Sequence, residues 1–89
     1  MRLDKYLKVS RLIKRRTVAN QAADAGRVFL NGKPAKPSAE VREGDKIEIR
    51  FGTRAMTVLV RSVSEHATKN DAAEMYSVAS EEEIRPDGE

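Results

Sequence analysis

The stretch KRRTVANQAADAGRVFLNG, Lys14 to Gly32, changes its period halfway along. In its first part Val18, Ala22 and Ala25 recur at i, i+4 and i+7, and Ala19 and Ala23 widen the stripe. That spacing is one face of a helix and predicts one over residues 15–25. Alanine favours helix and lets a neighbouring backbone come close. Gly26 suits the position just past a helix, where the chain turns left-handed. Val28 and Leu30 then alternate as in a strand, and Asn31-Gly32 follows. That dipeptide is a strong hairpin signal, because both residues tolerate the positive φ of a tight primed turn. A helix that runs straight into a hairpin sets the order α, then β.

Working outward, Leu3, Tyr6 and Leu7 share one side of a helical wheel, and Arg2, Lys5 and Lys8 the other. A first helix is expected over residues 2–9, with Leu12 and Ile13 as a plug into the core. Downstream, Pro37-Ser38 reads as loop and Glu43-Gly44-Asp45 as a turn. Ile47, Ile49 and Phe51 alternate, Gly52-Thr53 breaks the run, and Met56, Val58 and Val60 alternate again. Tyr6 and Phe51 are expected in the core. A short helix over residues 71–75 and an extended stretch at 76–78 follow. The fold class is α+β, two N-terminal helices packed on a small antiparallel sheet. Eighty-nine residues suit one compact domain. It divides into a core at 1–50, an extension of the same domain at 51–80, and an acidic flexible tail at 81–89.

Charge is unevenly spread. Residues 1–50 hold 13 Lys/Arg against 6 Asp/Glu, and residues 51–89 hold 4 against 8. A basic front part of this kind is suited to a polyanion. With no cysteine, disulfides and thiolate metal sites are excluded, which fits a reducing cytosol. No apolar run nears the roughly 20 residues of a membrane span, and the N-terminus has no signal-peptide core, so a cytoplasmic protein without a membrane partner is expected.

Enzymatic chemistry lacks its parts. His66 is the only histidine, and without cysteine it cannot anchor a nucleophilic triad or a zinc site. Glu81-Glu82-Glu83 reads as a solvated run, and Glu43 and Asp45 as turn formers. No phosphate-cradling G-x-x-x-x-G-K occurs. No catalytic residue, metal or cofactor is expected.

What stands out is the segment from Arg2 to Arg16, with seven cations and one acid, Asp4. Like charges at helical spacing repel, a cost that a bound polyanion removes. Arginine is the side chain suited to bidentate phosphate contact. The candidate RNA-binding residues are Arg2, Lys5, Arg11, Lys14, Arg15 and Arg16, with Lys33 and Lys36 extending the stripe. Only Tyr6, Phe29, Phe51 and Tyr76 could stack bases. A single-strand platform is therefore weak, and reading of RNA shape and backbone fits better. Charge alone does not separate RNA from DNA.

MRLDKYL, KRRTVANQAADAGRVFLNG and KPSAEVREGDKIEI, with G-x-V-x-x-N-G, P-S and V-x-x-G-D-x-I in order, resemble the RNA-binding domain of the ribosomal protein S4 family. The likeness implies an αL-type fold with RNA held along the helix face. It departs at Arg15, where many members carry a Ser or Thr that caps the second helix. Arginine cannot accept that bond, so the cap must come from elsewhere. LDKYLKVSRLIKRRTVA and AAEMYSV look closest to stand-alone bacterial ribosome quality-control members, related to the heat-shock protein 15 group. That resemblance implies a large ribosomal subunit holding an obstructed peptidyl-tRNA as the target. It implies contacts with rRNA and P-site tRNA, support for an RqcH-type factor that adds alanine tails, and a monomer off the ribosome. Arg2 and Arg16 would hold rRNA, with Lys5, Arg11, Lys14 and Arg15 in support. Lys33 and Lys36 would reach tRNA or rRNA backbone. Asp4 would orient an arginine or start the helix.

Overall fold

The computed structural model describes residues 1–64 and 68–83. Helices α1 (Leu3–Val9) and α2 (Arg16–Asp24) come first, then strands β1 (Val28–Leu30), β2 (Lys33–Pro34), β3 (Lys46–Phe51) and β4 (Arg54–Val60). Helix α3 (Lys69–Glu74) and strand β5 (Tyr76–Glu83) complete the order. The strands form one antiparallel sheet, β2-β1-β3-β4-β5. The expected α+β architecture is the one observed.

The β1–β2 turn is built as its sequence requires. Asn31 has φ 52° and Gly32 φ 86°, the paired left-handed residues of a primed turn. The Asn31 side chain also accepts from the Lys46 amide (2.9 Å) and donates to Asp45 (3.1 Å). Asp45 in turn accepts from the Arg42 amide at 2.8 Å. One asparagine thus ties the hairpin to the start of β3 and sets the β1–β3 register, Val28 opposite Ile49.

Leu3, Tyr6 and Leu7 of α1 are fully buried in one cluster with Ala19 and Ala23 of α2, Val28, Ile47, Ile49, Val58, Val60 and Met75. The Tyr6 hydroxyl donates to the Met75 carbonyl at 2.8 Å, fastening the first helix to the junction of α3 and β5. Burial, with Tyr76 nearby, raises the Tyr6 phenol above its ordinary value. The start of α1 is held by the chain itself. Leu3 N–H donates to Ala39 O (2.8 Å) and Asp4 N–H to Pro37 O (3.1 Å). Between the helices Arg11 takes φ 65°, unusual for a residue with a Cβ. The reversal there lets Ile13 N–H reach Leu7 O at 3.0 Å and returns Ile13 to the core.

Several expectations need correction. The buried line of α2 is Ala19 and Ala23, whereas Val18 is 46% exposed. Phe51, expected in the core, is also 46% exposed. It continues the alternation of Ile47 and Ile49, but as the last residue of β3 it lies outside the buried cluster that holds those two. The last helix is Lys69–Glu74 rather than 71–75, because Thr68 and Asp71 form a reciprocal capping box that starts it earlier. Residues 81–83, assigned above to the tail, belong to β5, where they pair with Arg54–Met56 of β4 and satisfy its backbone groups. The register slips between Thr57 and Val58, leaving Ala79 as the extra residue of a bulge. His66 and tail residues 84–89 lie outside the described residues.

Ala19 is fully buried in the cluster that the helices share with the sheet. Ala19→Leu is expected to lower stability by about 1–3 kcal/mol through overpacking, read as a lower urea midpoint at unchanged m-value.

Candidate nucleic-acid interface

The site is organised by one carboxylate. Asp4 stands in the first turn of α1 and is 2% exposed. Arg2 donates to it from Nε (3.2 Å) and Nη2 (3.3 Å), a forked contact between residues two apart. Arg16, opening α2, donates from Nη2 at 3.3 Å, and Asn20, one turn further on, from Nδ2 at 3.3 Å. The Lys5 amide donates at 2.8 Å. Two helices are thereby cross-linked through a single acid.

The charges do not cancel. Two guanidinium groups share one carboxylate, and while the acid is covered the side chains of Arg2 and Arg16 remain 52% and 47% exposed. Each arginine spends part of its donor fork on Asp4 and turns the rest outward, with its orientation already fixed. Pre-orientation lowers the entropy lost when a phosphate is bound. Burial by itself would raise the Asp4 carboxyl. The hydrogen bonds from Asn20, Arg2 and Arg16, with the charge of Arg16, outweigh it and hold the group below its ordinary value. Asp4 therefore stays ionised at neutral pH. Beside it Asp4, Arg16, Thr17, Asn20 and Gln21 line an open groove of about 390 Å³. The groove is furnished with guanidinium, amide and hydroxyl groups, chemistry that matches phosphate and 2′-OH oxygens.

The other candidates fall around this centre. Lys5 lies half-buried one residue along α1. Arg11, Lys14 and Arg15 are exposed on the corner joining the helices. Arg15 is the N-cap of α2 with extended backbone, and its side chain makes no capping bond, so no Ser/Thr-type cap replaces the one missing from the sequence pattern. Lys33 is exposed in β2, the edge strand, and Lys36 in the loop after it. Lys36 precedes Pro37, whose carbonyl receives the Asp4 amide, so the chain brings it to the start of α1. Neither lysine makes an ion pair with the Asp4 cluster. Sequence reasoning missed Asn20 as a member of the site. Its signal was there, since Arg16 and Asn20 are four apart and face the same way on a helix.

Comparison with known proteins returns the family that this arrangement of helices, hairpin and turns represents. The S4 domain model matches residues 1–47, over half of the chain. The chain belongs to the S4 domain family. It is 54% identical over 82 residues to the "RQC P-site tRNA stabilizing factor" of Listeria monocytogenes, covering 92% of this chain and 89% of the relative. The Bacillus subtilis protein of the same name is 50% identical over 84 residues, covering 94% and 98%. Among solved structures, trimeric heat shock protein 15 of Vibrio cholerae superposes with a TM-score of 0.81 at 32% identity, covering 89% of this chain and 81% of that one. The α+β fold and the S4 resemblance read from the motifs thus agree with the family match, the relatives and the structural neighbour.

Two outcomes test this geometry. Asp4→Asn should cost about 1–3 kcal/mol at pH 7, since charged hydrogen bonds are replaced by weaker ones. Because the folded-state pKa of Asp4 is lowered, its stabilisation is complete above the unfolded value of about 3.9 and is lost as pH falls through the lower folded one. Urea unfolding should therefore show a constant deficit of the variant between pH 7 and 5 that begins to shrink only as the pH falls below about 4. Arg11→Gly should keep or slightly raise stability by relieving the left-handed backbone, read as an equal or higher urea midpoint.

Proposed function

We propose that this protein is a non-catalytic RNA-binding factor of ribosome quality control. It binds the large ribosomal subunit carrying an obstructed peptidyl-tRNA, contacts rRNA and P-site tRNA, and supports C-terminal alanine tailing by an RqcH-type factor. The observation that carries the reading is the pair Arg2 and Arg16, fixed by the buried Asp4 and half open to solvent. Rigid, outward guanidinium groups on a helix corner suit a fixed RNA surface, where pre-orientation adds to affinity. Relatives that match nearly end to end carry the name P-site tRNA stabilizing factor, which supports that site of action.

In this reading Arg2 and Arg16 hold rRNA, and Lys5, Arg11, Lys14 and Arg15 add backbone contacts. Lys33 and Lys36 reach tRNA or rRNA phosphates from the hairpin side. The factor acts in the cytoplasm as a monomer when off the ribosome. Among the described residues no helix is long and apolar enough to cross a membrane. The structural likeness to heat shock protein 15 favours a second reading, recycling of stalled large subunits without tailing.

Arg16→Ala is expected to leave the fold intact by circular dichroism and to remove the protein from the large-subunit fraction of a sucrose gradient. Normal co-sedimentation of that variant would refute the site. Deleting the gene should abolish alanine tails on stalled chains. Retained tails with accumulated peptidyl-tRNA on large subunits would favour the recycling reading.

A further inference from the structure

A second concavity lies on the far side of the helix corner. Leu12, Val18 and Phe51 are the apolar side chains at its surface, over a floor that includes Ile49, and its volume is about 490 Å³. That size lies within the range of about 300–1,000 Å³ typical of small-ligand sites. Phe51 and Val18 are each 46% exposed although their positions in the pattern call for burial. The only charged groups in the lining are cationic, Lys14, Arg27 and Arg50. Arg50 is already engaged, its guanidinium 4.4 Å from the Phe29 ring centroid and its Nε 2.7 Å from Glu48. Lys14 and Arg27 make no ion pair among the described residues.

We infer that this groove seats one unpaired nucleotide of the bound RNA, its base stacked on Phe51 and its flanking phosphates met by Lys14 and Arg27. The inference rests on the RNA-binding reading above and adds a base-stacking site to it. Three observations select this occupant. An accessible aromatic face beside cations is the arrangement that holds an unstacked base. The lining carries no carboxylate, so a phosphate-bearing strand meets only attraction there, whereas an apolar protein segment would leave Lys14 and Arg27 without counter-charge. Lys14 also belongs to the exposed corner that joins the helices, with Arg11 and Arg15, so its cation serves both that corner and the groove. The apolar side chains offer a base no hydrogen-bond pattern to read, so the seat takes a bulged nucleotide with little regard to its identity.

The test uses the full chain and two RNA hairpins with the same stem, one fully paired and one with a single bulged 2-aminopurine, in low salt where phosphate contacts alone sustain binding. The wild-type protein is expected to bind the bulged hairpin about tenfold more tightly and to quench the 2-aminopurine emission, consistent with the usual strength of base–aromatic stacking. Phe51→Ala should erase both the preference and the quenching while leaving affinity for the paired hairpin unchanged. Its exposure makes the variant safe for the fold, and Phe51→Tyr should restore both signals. Arg16→Ala should weaken binding of both hairpins alike. Equal wild-type affinity for the two, with Phe51→Ala silent, overturns the nucleotide seat while leaving the RNA-binding reading in place, and assigns the groove to a protein segment. Failure to bind either hairpin overturns the seat together with the reading beneath it.

Discussion

The covered carboxylate of Asp4 is the constraint on which the rest depends. It receives donors from its own helix, from Arg2 before it and from Arg16 and Asn20 across the helix junction. A buried anion with one partner would be costly, but the hydrogen bonds that meet this one outweigh its desolvation and hold it in place. Because those donors come from two helices, satisfying Asp4 and setting the relative placement of α1 and α2 are the same event. The exposed arginine pair is then a by-product of the packing, since the arginines that satisfy the acid have donor capacity left over.

The same economy of parts recurs around the fold. The loop from Pro37 to Ala39 supplies the carbonyls that accept from the first amides of α1. Asn31 makes the hairpin turn and joins it to β3. Tyr6 fills the core and also ties α1 to Met75 at the end of α3. In a chain with few aromatics and no disulfide, each of these polar links connects segments distant in sequence. They tie the helix corner to the hairpin, the loop before β3 and the end of α3.

Rigidity and exposure divide the cations into kinds. Arg2 and Arg16 are oriented by Asp4, while Lys14 and Arg15 stand exposed on the corner and Lys33 at the sheet edge. The first kind suits a defined contact and the second a diffuse attraction that falls with salt. The groove at Phe51 is a separate, apolar element, lined by residues of α2 and β3.

By itself the sequence determined the order of elements, the two helices, the Asn31-Gly32 hairpin, the alternation of β3 and the basic character of the first sixteen residues. These follow from local chemistry: the helical and strand periods, the φ that glycine and asparagine accept, and the signs of neighbouring charges. Arg2 and Arg16 were legible as candidates, and so was an orienting role for Asp4. Only the tertiary structure decided that both arginines converge on that acid with Asn20, because the contact joins residues up to sixteen apart across two helices. It also decided that Val18 and Phe51 face outward. Periodicity names the side of an element on which an apolar residue lies, but whether another element covers that spot depends on where the neighbouring helix ends. The same limit applies to residues 81–83, whose acidic composition reads as tail until the free edge of β4 gives their backbone a partner.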